Sequence, residues 1–123
     1  MTYEFYKTLH FFGLILTFTS LIASFGIIYF SNAEQSNPGI FKKFSIGHGI
    51  GLVIILVSGF GLAARLGYMS QLPTWVYFKI ALWLVAGGIV AIIKRKKLSS
   101  VLMYTILIAI PVIGSIIAVN KPF

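Results

Sequence analysis

The sequence predicts an all-α integral membrane protein, a single-domain four-helix bundle in which every helix crosses the bilayer. Three observations predict it. Hydrophobic residues make up 59% of the 123-residue chain and charged residues only 10%, whereas soluble domains average about 45–50% and about 25%. The apolar residues gather into four runs, about 5–30, 44–66, 74–93 and 99–119, each near the ~20 residues needed to cross a hydrocarbon core of roughly 30 Å. The cations flank these runs instead of forming a solvated basic domain. The net charge of +8 therefore points to anionic lipid headgroups and away from nucleic acid.

The first run, FYKTLHFFGLILTFTSLIASFGIIYF, is too long for a signal-peptide core and lacks an A-x-A-like exit, so it is expected to be retained. Within it Tyr6, His10, Gly13, Thr17, Ser20 and Ser24 recur at threes and fours, which stacks them on one helical face. Small and hydroxylated residues let helices approach and hydrogen-bond across the gap, so this face is predicted to be a helix–helix seam. Asn37-Pro38-Gly39 marks a turn before the second run. There His48, Gly51, Ile55, Ser58, Leu62 and Arg65 repeat the same spacing, and Gly47 and Gly51 form a G-x-x-x-G pair. That pair packs either within one chain or between two copies.

Only residues 67–73 separate the second and third runs, which makes them antiparallel neighbours, and Pro73 suits a helix start. Trp75, Lys79 and Trp83 share one face of the third helix at i, i+4 and i+8. Lys94-Arg95-Lys96-Lys97 ends it, since such a run cannot sit in hydrocarbon. The fourth helix offers Tyr104, Pro111, Ser115 and Ala118 as its inward stripe, with Pro111 expected to kink it. Lys42, Lys43 and the run at 94–97 lie on the same side of the membrane. The positive-inside rule places that side in the cytoplasm of a bacterial inner membrane and both termini outside.

The candidate site residues are His10, His48, Arg65 and Lys79. His10 lies about five residues from the outer end of its helix, roughly 8 Å deep at 1.5 Å per residue. His48 lies near the opposite, basic end and reads as interfacial, so the two rings are predicted to differ in depth by about 15 Å. A bis-histidine haem b needs both nitrogens on one iron and is disfavoured by that separation. His10, Arg65 and Lys79 share the outer half, where Glu4 and the terminal carboxylate are the available anions. Charges at membrane depth are costly unless paired. This surplus of cations suits a ligand bearing carboxylates or phosphates, such as a tetrapyrrole or an anionic lipid. Snorkelling of Arg65 and Lys79 to headgroups, and a plain interhelical hydrogen bond for His10, are the structural alternatives.

Cysteine is absent, which excludes disulfides, thiolate metal sites, thiol nucleophiles and covalently attached c-type haem. No nucleophile–base–orienter set and no carboxylate pair can be assembled. GHGIG opens a transmembrane helix and is no phosphate loop. Without an inverted repeat or an acidic residue in the core, no transporter signature is present either. Enzymatic activity has little support in these residues.

YKTLH in the first helix, GH at the start of the second and WVYFKIALWL opening the third resemble the SirB-like family of small four-helix bacterial membrane proteins, over nearly the whole chain. The first- and third-helix patterns are also similar to the HemJ-type protoporphyrinogen oxidases, a haem-associated family whose first-helix histidine and third-helix lysine correspond to His10 and Lys79. That family carries an arginine after the histidine and a histidine after the lysine. Here the first helix has no arginine, and Trp83 is the nearest notable residue after Lys79. The SirB-like resemblance implies no particular activity. The residues themselves point to a non-catalytic protein binding an anionic ligand such as haem b or a porphyrin, with His10 as its metal ligand. Alternatives are a ligand-free accessory subunit, packing against other membrane-protein subunits or its own copies, and a tetrapyrrole oxidoreductase.

Overall fold

In hydrocarbon every backbone polar group must be satisfied within its own segment, which favours helices. The structure, a computed structural model, describes residues 2–31, 39–68, 70–96 and 98–120. They form four helices and, among the described residues, no strand: α1 (Tyr3–Phe30), α2 (Ile40–Arg65), α3 (Thr74–Arg95) and α4 (Ser100–Asn120). All four are long and apolar enough to cross a membrane. The protein is an all-α, multi-pass bundle.

The helices outrun the apolar runs. α2 begins at Ile40 instead of 44 and so includes Lys42 and Lys43, and α3 continues through Lys94 to Arg95. Hydropathy reports where the chain leaves hydrocarbon, whereas intrahelical hydrogen bonds persist into the headgroup layer. Local chemistry fixes the ends. Thr2 caps α1 by accepting from the Phe5 amide at 3.2 Å, and Ser99 accepts from the Leu102 amide at 3.2 Å at the start of α4. α2 stops at Gly67, whose φ of +79° lets its amide reach the Ala64 carbonyl while Tyr68 reaches that of Ala63. Pro73 caps α3. α4 runs through Pro111 as one helix. Of the expected turn, Gly39 is described, with a φ of +90°. Asn37 and Pro38 lie outside the described residues, as do Glu34, Lys97 and the last three residues.

α1 touches all three other helices, and its interface with α2 is much the most extensive. The pair is antiparallel and in strict register. Tyr6 lies against Gly61, His10 against Gly59, Gly13 against Ile54 and Ile55, Thr17 against Gly51, and Ser20 against Gly47. A β-carbon on Gly51 would overlap the Thr17 hydroxyl, and one on Gly61 would overlap the Tyr6 ring. At Gly13 it would come within 2.9 Å of Ile54 Cγ2. These glycines are what allow the backbones to approach. The G-x-x-x-G pair is thus used inside the chain.

Away from this seam the helices assemble by filling space. Leu21, Phe25, Phe41, Ile89, Ile93, Met103 and Leu107, drawn from all four helices, form one buried apolar core at the end carrying the basic loops. Tyr29 Oη donates to the Leu98 carbonyl at 2.9 Å and ties α1 to the loop before α4. Lys94 lies over the Phe41 ring and Lys96 over the Tyr29 ring, 5.7 and 5.8 Å from the centroids, a contact that cations favour at such distances.

The predicted face of α4 needs correction. Its buried residues are Met103, Leu107, Ile110 and Ile117, while Tyr104 and Ser115 are exposed. Tyr104 instead stacks at its edge of the bundle on Phe25, 6.2 Å between centroids. Ser115 meets its own polar need by donating to the Pro111 carbonyl at 2.8 Å.

Candidate functional site

His10 sits in the part of the seam away from the basic loops, and α2 brings Ser58 to meet it. His10 Nδ1 and Ser58 Oγ are 2.9 Å apart. Ser58 spends its own proton on the Ile54 carbonyl at 2.6 Å, with Ile55 at 3.2 Å. Its oxygen must then accept, so the hydrogen-bond network assigns the imidazole proton to Nδ1 and leaves Nε2 as the basic nitrogen. Ser58 is fully buried and His10 half-buried. Gly59 clears the space beside the ring, for a β-carbon there would stand 3.5 Å from Cε1.

Lys79 of α3 is half-buried, and the His10 ring lies within reach of its field. Among the described residues no carboxylate pairs with it. Glu4 is exposed in the first turn of α1. One turn further along α3, Trp83 Nε1 donates to the Leu52 carbonyl at 2.9 Å and fixes α3 against α2. Tyr68 and Trp75 meet edge to face at 6.2 Å where the α2–α3 connection returns. Lys7, Lys94 and Lys96 each lie over an aromatic ring.

The other two candidates stand apart. Arg65 is the last residue of α2 and is exposed, in the position from which a long side chain reaches headgroups. His48 is 3% exposed, buried among the helices near the basic end of α2. It lies ten residues from Ser58, so along α2 the two histidines are separated by about 15 Å. One tetrapyrrole clamped by both rings does not fit this arrangement. His10 has its Nδ1 proton held by a neighbour, which orients its other nitrogen. Among the described residues no three His, Cys, Asp or Glu side chains converge as a metal site. Two shallow grooves are apolar, one at Phe25, Phe30 and Tyr104 and one at Ile15, Phe18 and Ile22, and neither is lined by His10, His48, Arg65 or Lys79.

Sequence reasoning missed the Trp83–Leu52 bond and the burial of His48 beside Thr17. The first has no sequence signal, because the acceptor is a main-chain carbonyl. The second had one: Thr17 and His48 both lie on the small-residue stripes of their helices. Set against known protein families, curated proteins and solved structures, the chain matches none.

Proposed function

We propose that this protein is a non-catalytic membrane protein that binds an anionic group at the end of the bundle opposite its basic loops. Lys79 is the anion anchor. His10, oriented by Ser58, is the hydrogen-bonding or axial group beside it. The observation that carries this reading is Lys79 itself, a half-buried cation within a candidate membrane span whose field reaches His10, with no carboxylate partner among the described residues. Such a charge is expensive to keep in place and marks function more often than structure. The ligand's chemistry is a carboxylate or phosphate attached to an apolar body. A tetrapyrrole with its propionates and an anionic lipid are two sources of it. A haem, when bound, would supply the redox chemistry, with His10 Nε2 as its ligand and Lys79 holding a propionate.

The same reading places the basic loops in the cytoplasm of a bacterial inner membrane, with the anion site facing the far side. It agrees with the SirB-like resemblance carried by YKTLH and WVYFKIALWL. The test uses protein in nanodiscs of zwitterionic lipid, with haemin or phosphatidylglycerol titrated in and tryptophan emission followed. Trp75 and Trp83 lie one turn on either side of Lys79. Saturable quenching by haemin, weakened by about tenfold or more in Lys79→Met, supports a tetrapyrrole. The same dependence for phosphatidylglycerol supports a lipid. Equal behaviour of wild type and Lys79→Met with both probes overturns the proposal, and the chain is then better regarded as a packing subunit.

A further inference from the structure

Thr17 of α1 and His48 of α2 meet at a point where α3 also arrives, some distance from the Lys79 site. Thr17 is 0% exposed and His48 3%. The Thr17 hydroxyl and both nitrogens of His48 close no hydrogen bond with the protein. The main chain of Thr17 and of Ala86 on α3 lies beside the ring.

Thr17 and Ser45 are buried hydroxyls that close no hydrogen bond among the described residues, unlike others in these helices. Thr19, Ser24, Ser58, Thr105 and Ser115 all donate to the carbonyl four residues back, at 2.6 to 2.9 Å. Thr17 does not, although it occupies a regular helix. Across the seam Gly51 leaves room for its hydroxyl, which a β-carbon there would overlap. Buried polar atoms in folded proteins are paired with protein or with ordered water. Three of them lie here on two facing helices, the ring of His48 beside the main chain of Thr17.

We propose that Thr17 and His48 hold a single internal water molecule, which joins α1 to α2 and lies next to the α3 backbone at Ala86. A neutral imidazole offers one donor and one acceptor, and a hydroxyl offers both. Water complements them, accepting from one and donating to the other, and two to four such partners are what a buried water requires. Two side-chain donors are too few for a metal ion. Nor is this a station on a proton wire to His10, because Gly13 packed on Ile54 and Ile55 closes the seam between them. The water's role is to fix the His48 rotamer and lock the register of the helices.

The measurement is magnetisation transfer from water to the His48 ring protons by NMR, on the whole protein in nanodiscs, with signals assigned by His48→Asn. Transfer is expected in the wild type and in Thr17→Ser, which keeps the hydroxyl. It should drop several-fold in Thr17→Val, which keeps the shape and removes the hydroxyl. A wild-type ring without water contact overturns the proposal, and this holds even if Thr17→Val fails to fold. Contact undiminished in a folded Thr17→Val also overturns it.

Discussion

The two ends of this bundle are held together by opposite means. At the basic end, seven buried apolar residues from four helices fill a common space, and cations sit over aromatic rings at its rim. Along the α1–α2 seam toward the other end, side chains are taken away. Gly51, Gly59 and Gly61 admit Thr17, His10 and Tyr6, and a histidine bonds a serine where apolar packing would otherwise suffice. Lipid tails are as apolar as leucine, so burying apolar surface gives helices little reason to associate in a bilayer. Close approach and hydrogen bonds do. The seam is accordingly the most extensive interface in the protein. Polar groups follow glycines because both serve the same end, and a site with a charge can be built only where the backbone leaves room for it.

The largest effect is expected at the seam. Gly51→Leu drives a side chain into Thr17 and should destabilise the protein by about 3 kcal/mol or more, measured by reversible unfolding in mixed micelles. At the basic end, Ile93→Ala opens a cavity among residues that are fully buried. The lost contacts should cost about 2 kcal/mol, toward the low end for such truncations because transfer to lipid carries no hydrophobic penalty. If Ile93→Ala proves the more damaging of the two, the seam is not what organises the fold.

Polar bonds come next. Trp83→Phe removes the donor to the Leu52 carbonyl and should cost about 1 kcal/mol. Ser58→Ala removes the acceptor for His10 Nδ1, at about 0.6–1 kcal/mol. Combined with His10→Ala it should add almost nothing further, since the two residues share one bond. Additive losses would show that the pair is not coupled.

How far the sequence disclosed this structure follows the same division. The spans were legible because hydrocarbon thickness sets their length. The α1–α2 seam was legible as well, because Gly13, Thr17, Ser20, Gly47, Gly51 and Ser58 differ in kind from residues that face lipid. The buried face of α4 was not. Met103, Leu107, Ile110 and Ile117 look no different from Val101 and Val119, which are 75% and 80% exposed, and in a bilayer both faces are apolar. Helix ends were hidden because Lys42, Lys43 and Lys94 leave hydrocarbon without leaving the helix. His10 and Lys79 could be placed together by depth. Arg65, at the same depth, is exposed at its helix end, since depth fixes a level in the membrane and not a direction around the helix axis.

Lys79 is where stability and function should part company. Lys79→Met keeps the length and apolar stem of the side chain and removes the charge. Unfolding free energy and haemin or phosphatidylglycerol binding, measured on the same nanodisc samples, test the central claim most directly. The anion-site account predicts a variant at least as stable as the wild type, because an uncompensated charge has left the membrane, and one that no longer binds. A variant that is clearly less stable yet binds as well as the wild type would contradict it, and would make Lys79 a structural residue.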